Sequence, residues 1–96
     1  MVKHIVMFKL KEKTAENMEA AVSTLRGLYR KTDSLRFIEV GVDFNESERS
    51  YDRVLTTHFD DQEGLFEYAS LPTLLPIIET MRNVCSNSIV VDYVTE

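Results

Sequence analysis

The segment Val2–Leu10 is apolar in the middle of both faces of a predicted strand. Because strand side chains alternate between two faces, one face carries Val2, His4, Val6, Phe8 and Leu10. The other face carries Lys3, Ile5, Met7 and Lys9. A half-solvated strand would alternate apolar with polar residues, so this pattern predicts a sheet that is covered on both sides.

Apolar residues three and four apart predict a helix from about Ala15 to Lys31, with Thr14 as its cap. Its buried face is predicted to hold Met18, Val22, Leu25 and either Leu28 or Tyr29. Alternating patterns predict further strands at Leu35–Phe44, Tyr51–Phe59 and Ser88–Thr95.

The region between the third and fourth strands reads as two helices. Asp60 and Glu63 have the spacing of a capping box before a short helix that ends near Ser70. Pro72 ends that helix and begins another, which continues to about Asn87. Pro76 predicts an irregular first turn in this second helix.

The order strand, helix, strand, strand, helix pair, strand predicts one α+β domain over residues 1–96. It is the ferredoxin-like arrangement, a four-stranded antiparallel sheet with helices on one face. The other face, here called the open face, would hold Ile5, Met7, Phe37, Val54 and one side of the last strand. Since no element remains to cover it, we expect a homodimer in which two open faces pair as a dimeric α+β barrel.

Composition narrows the classes of function. The chain is 44% hydrophobic and 28% charged, as in ordinary globular domains, and its net charge of −5 without a basic cluster argues against nucleic acid or an anionic membrane as partner. No segment approaches the roughly 20 apolar residues of a membrane helix. The single cysteine, Cys85, and the lack of a signal-peptide pattern favour the cytoplasm. Two histidines and one cysteine, far apart, give no metal-ligand spacing, and we expect no cofactor.

Several short segments are familiar in their order and spacing: Val2-Lys3-His4-Ile5-Val6, Gly41-Val42-Asp43, Tyr51-Asp52, Phe59-Asp60-Asp61, Tyr68, Leu71-Pro72 and Val91-Asp92-Tyr93. Over nearly the whole chain they resemble the stress-responsive α/β-barrel domain family. The resemblance implies a dimeric α+β barrel with a pocket between sheet and helices. The family includes the plant olivetolic acid cyclase, which closes a linear polyketide by an aldol reaction through a tyrosine and a histidine.

By this resemblance Tyr68 matches the cyclase tyrosine, and His4 matches a pocket histidine. The family's usual His-Pro-x-His segment reads Leu71-Pro72-Thr73-Leu74 here, and Leu74 stands where the catalytic base would be. Arg53 likewise replaces a pocket histidine. A leucine cannot take a proton, so the departure argues against that cyclase mechanism.

The pocket is predicted to be lined by His4, Val6, Phe8, Arg53, Leu55 and Tyr68. His4 either binds a ligand or shuttles protons, or it is a wall residue with one hydrogen bond. Arg53 either holds a ligand carboxylate or pairs with Asp92 or another acid. Tyr68 either orients a carbonyl substrate or packs with its hydroxyl at the rim.

Three further residues have structural interpretations. Asp92 interrupts an apolar strand and is expected to have a hydrogen-bond or ion-pair partner. His58 falls on the open face by alternation. Cys85 is expected on the buried side of the last helix as a small hydrophobe.

The sequence favours a homodimeric barrel that binds a small apolar or aromatic ligand, and the loss of the histidine at Leu74 weighs against catalysis without deciding it. A dimeric barrel that serves assembly or a stress-related role stays open. So does a polyketide-cyclase-like or cofactor-free monooxygenase-like enzyme that uses His4 and Tyr68.

Overall fold

The computed structural model describes residues 1–29 and 33–95. Its strands are β1 (Val2–Leu10), β2 (Leu35–Val42), β3 (Arg53–Phe59) and β4 (Cys85–Val94). Its helices are α1 (Ala15–Arg26), α2 (Gln62–Ala69) and α3 (Leu75–Val84), with a short 3-10 helix, Pro72–Leu74, between the last two. The sheet order is β2-β3-β1-β4, and all neighbouring strands are antiparallel. The predicted ferredoxin-like α+β fold is therefore confirmed.

The hydrophobic core lies between the helices and one side of the sheet. The predicted alternation in β1 holds, since Val2, Phe8 and Leu10 are buried on that side. From α1 the buried residues are Ala21, Val22 and Leu25, followed by Leu28 just beyond the helix, whereas Tyr29 is exposed. None of the helices in the described ranges is long and apolar enough to span a bilayer.

The predicted end of α1 at Lys31 is wrong, because the helix stops at Arg26. Beyond it, the amide N–H groups of Gly27, Leu28 and Tyr29 each donate to the carbonyl three residues earlier, so the chain tightens into turns. Lys31 itself lies outside the described residues. Thr14 caps the helix as predicted, its Oγ1 accepting from the amide of Asn17 at 3.1 Å.

Strand boundaries also differ from the prediction. β2 ends at Val42 rather than Phe44, whose side chain is exposed, and β3 begins at Arg53 rather than Tyr51. β4 begins at Cys85, where the prediction still had helix. The chain turns directly into pairing with β1, and a bulge lies between Lys9 and Leu10 of β1. Cys85 therefore belongs to a strand.

The cap of α2 is Asp61, not Asp60. The carboxylate of Asp61 accepts the amide N–H of Gly64 at 2.8 Å. Asp60 instead pairs with Arg36, whose Nη2 lies 2.8 Å from its Oδ2. The irregular turn predicted near Pro76 is confirmed as the 3-10 helix that precedes α3.

The open face carries apolar side chains that no described element covers. Strand register assigns its β4 residues as Ile89, Val91 and Tyr93, opposite Met7, Ile5 and Lys3 of β1. These three β4 residues and Phe37 are exposed, whereas Ile5 and Met7 are half-buried.

His58 lies on the open face, as the alternation in β3 predicts. Its ring stacks on Phe37 with centroids 4.5 Å apart. Burial and the Lys3 ammonium lower the pKa of His58, and the Glu39 carboxylate opposes them. The imidazole is thus held toward its neutral form.

Candidate functional site

A cavity of about 470 Å³ lies between the helices and the covered side of the sheet. This volume falls in the range of about 300–1,000 Å³ that small-molecule pockets occupy. Its wall is largely apolar and combines strand residues with helix residues, among them Val6, Phe8, Leu55, Leu25, Ile77 and Met81. The cavity can therefore receive a compact apolar molecule.

The structure brings together five of the residues predicted for the pocket, namely His4, Val6, Phe8, Leu55 and Tyr68. β1 and β3 supply four of them because alternate residues of paired strands project to the same side. Tyr68 reaches the cavity from α2, where it is one of the buried residues.

Arg53, which was also predicted for the pocket, is not among the residues that line the cavity. Its side chain is only 6% exposed, with Nη1 donating to the carbonyl of Asp52 at 2.7 Å and Nη2 to that of Met18 at 3.4 Å. Nε is buried without a partner among the described residues. The alternation placed Arg53 on the correct side of the sheet. Its guanidinium donates to backbone carbonyls, however, and does not pair with Asp92.

Asp92 pairs instead with His4, which lies directly opposite it on β1. His4 Nδ1 hydrogen-bonds Asp92 Oδ1. Because an ionised carboxylate can only accept, Nδ1 carries the hydrogen, and Nε2 of a neutral ring is then an acceptor. Nε2 has no hydrogen-bond partner among the described residues. The pair thus orients an imidazole that is left with one free position.

Tyr68 is 4% exposed, and its hydroxyl is buried without a described partner. Its ring packs against Phe59 with centroids 5.2 Å apart. Burial raises the pKa of Tyr68 to about 12, so the phenol stays protonated and can donate. The hydroxyl is not at a rim, and leaving such a group unpaired costs roughly 1–3 kcal/mol.

The family model for the Stress Responsive A/B Barrel Domain matches residues 2–95. The chain belongs to this family. The comparison with curated proteins found no match.

Solved structures show the same fold as this Stress Responsive A/B Barrel Domain chain. A dimeric ferredoxin-like protein from Thermobifida fusca YX has a TM-score of 0.86 at 18% identity, covering 98% of this chain and 90% of its own. A dimeric protein of ferredoxin-like fold from Bacteroides fragilis NCTC 9343 has a TM-score of 0.82 at 27% identity, covering 98% and 95%. A hydroxynitrile lyase from Passiflora edulis has a TM-score of 0.83 at 14% identity, covering 99% and 93%.

In this Stress Responsive A/B Barrel Domain chain, the structure gives a place to Leu74, the residue that the resemblance put where a catalytic histidine would be. Leu74 is buried at the end of the 3-10 helix and forms part of the cavity wall. It adds apolar surface and no group that can exchange a proton. Among the described residues, no group of three or more histidine, cysteine or acidic side chains is placed to hold a metal ion.

Sequence reasoning missed four polar residues of the cavity, Arg82 of α3 and Ser86, Asn87 and Ser88 of β4. Helical spacing by itself does not decide between Met81 and Arg82 for the inward position. Both line the cavity, since Ile77, Ile78, Met81 and Arg82 form two adjacent rows on one side of α3. Ser86 and Asn87 were missed because β4 begins earlier than its pattern indicated, and Ser88 stood at the first position of the predicted strand.

Proposed function

We propose that this domain binds a small apolar or aromatic molecule in the cavity between sheet and helices. The observation that carries the proposal is a largely apolar space of about 470 Å³ whose wall includes both His4 and Tyr68. Each has a polar group without a described partner, His4 Nε2 and the Tyr68 hydroxyl. A filled core would leave no such volume, so a purely structural role for these residues is the weaker interpretation.

A cavity-filling variant tests this binding site. Ala69 lines the cavity, and we expect Ala69→Phe to reduce its volume and abolish stabilisation by small aromatic acids, alcohols and amides in a thermal-shift screen. Ala20→Phe, at an exposed position of α1, is the matched control and should behave as the wild type. His4→Ala should lower the affinity for the ligands that bind. A screen with no stabilising compound, or hits that are unchanged in Ala69→Phe, would refute the binding site.

We propose also that two copies associate through their open faces. Support comes from the exposed apolar residues Phe37, Ile89, Val91 and Tyr93 on one side of the sheet, and from the dimeric relatives of the same fold. Such a patch is unusual on a monomer. Sedimentation of the intact chain at micromolar concentration tests this proposal.

The proposed partners are a second copy and a small molecule rather than nucleic acid, given the net charge of −5. A reducing cytoplasm suits the single cysteine, Cys85. We do not extend the proposal to cyclase or monooxygenase chemistry. The hydroxynitrile lyase is similar in fold at 14% identity, and likeness of fold does not carry an activity.

A further inference from the structure

One edge of the cavity carries a cation that has no partner in the described part of the chain. Arg82 lies in the last turn of α3, is exposed, and also lines the cavity, so the cavity reaches solvent there. Arg82 makes no hydrogen bond or ion pair with any described residue. Ser88 of β4 borders the same cavity, and its hydroxyl likewise has no described partner. Two groups that can donate hydrogen bonds therefore have no described partner in the cavity wall.

The charged side chain in the described cavity wall is basic, although the whole chain is acidic. Sixteen acidic residues outnumber eleven basic ones, yet no acidic side chain in the described ranges lines the cavity. Arg82 is the charged residue of this wall, and the Asp92 carboxylate beside it is bonded to His4. The cavity thus combines an apolar interior with a positive edge.

We propose that the ligand is an amphipathic carboxylate whose head group is bound by Arg82 and whose apolar body fills the cavity. The proposal rests on the proposed function, that the cavity binds a small molecule. A guanidinium presents two parallel N–H donors that match the two oxygens of a carboxylate. The Ser88 hydroxyl supplies a further donor from β4. The guanidinium charge would favour an anion over a neutral molecule of equal shape.

The position of Arg82 has a second physical explanation. A cation in the last turn of a helix is stabilised by the helix dipole. That effect concerns α3 alone and predicts no preference among ligands. Ligand selectivity, rather than stability, is therefore the property that separates the two explanations.

The test compares para-butylbenzoate with para-butylbenzamide, which have the same shape and differ in charge. Isothermal titration calorimetry of the intact protein should show the acid binding at least about tenfold more tightly, equivalent to about 1.4 kcal/mol. In Arg82→Gln the acid should weaken about tenfold while the affinity for the amide is kept. Arg26→Gln, at an exposed arginine of α1 outside the cavity wall, is the matched control and should retain the preference.

Two additional variants keep the test decisive. If Arg82→Gln does not fold, Arg82→Lys retains a charge without the paired donors and should lose part of the preference. His4→Gln should keep the preference for the acid over the amide. A preference that is lost in His4→Gln but kept in Arg82→Gln would overturn the role of Arg82. Equal binding of acid and amide by the wild type would overturn the carboxylate proposal and leave ligand binding intact. Binding of neither compound, together with a thermal-shift screen without hits, would overturn the proposed function itself.

Discussion

A single charge on the open face should prevent self-association, and Val91→Glu is the sharpest substitution for this purpose. Val91 lies opposite Ile5 near the centre of the β1–β4 pair and is 49% exposed in one chain. Complete burial of a valine side chain contributes roughly 1.5–3 kcal/mol. About half of that, roughly 1 kcal/mol, is left for a partner to bury.

The two-fold symmetry of a dimer doubles every term. Losing both Val91 contacts costs about 2 kcal/mol, and each buried, unpaired carboxylate adds several kcal/mol of desolvation. A total above about 4 kcal/mol corresponds to a dissociation constant at least about a thousandfold weaker. We therefore expect Val91→Glu to be a monomer at concentrations where the wild type is a dimer.

The neighbouring residue provides the control. Val90 is 59% exposed on the other side of β4 and does not line the cavity, so Val90→Glu should remain dimeric. Sedimentation velocity across the micromolar range measures association, and circular dichroism verifies that each variant is folded. A wild type that is a folded monomer would refute the argument. So would Val91→Glu and Val90→Glu variants that form dimers with the same dissociation constant.

The other predictions concern stability. Because the pKa of His58 is lowered in the folded chain, the unfolded chain takes up the proton first as the pH falls below about 6.5. The free energy of unfolding should therefore fall as the pH is lowered from that value to the lowered pKa. Urea denaturation over a pH series should show a smaller change of this free energy with pH for His58→Gln than for the wild type. The same change in both proteins would contradict this. Asp61→Ala should reduce the free energy of unfolding by about 1 kcal/mol, because it removes the cap that accepts from Gly64. Asp60→Ala, at the exposed residue that pairs with Arg36, should reduce it by less. A larger loss in Asp60→Ala than in Asp61→Ala would indicate that Asp60 is the cap. Tyr68→Phe should leave the ligand-free protein as stable or raise its free energy of unfolding by up to about 1 kcal/mol, since it removes a buried hydroxyl that has no partner among the described residues. A loss of more than about 1 kcal/mol would show that this hydroxyl has a partner in solution.

The order of elements and the two sides of the sheet could be predicted because alternation and helical spacing repeat over many residues. Element ends could not, since local patterns overlap there. Cys85 lies four residues after Met81 and fits the helix, yet it pairs with Leu10 in the sheet. Pairing between distant segments overrides local spacing.

The candidate site was predictable to the same extent. Alternation alone puts His4 and Leu55 on the covered side of the sheet, where the cavity is. It cannot tell which residues on that side face open space and which lie beneath a helix. Arg53 bonds the carbonyl of Met18 in α1 and so belongs to the second group. Arg82 depended on where α3 sits against the sheet, which no local pattern specifies.

Consecutive residues of β1 lie on opposite sides of the sheet: His4 lines the cavity, and Ile5 lies on the open face. Inserting one residue ahead of His4 would exchange these roles along the rest of the strand, turning Ile5, Met7 and Lys9 inward and removing the imidazole from Asp92. Inserting two would preserve the sidedness of every later side chain. Length changes in this strand should accordingly be tolerated in pairs, so its spacing constrains the protein as strictly as the identity of its residues.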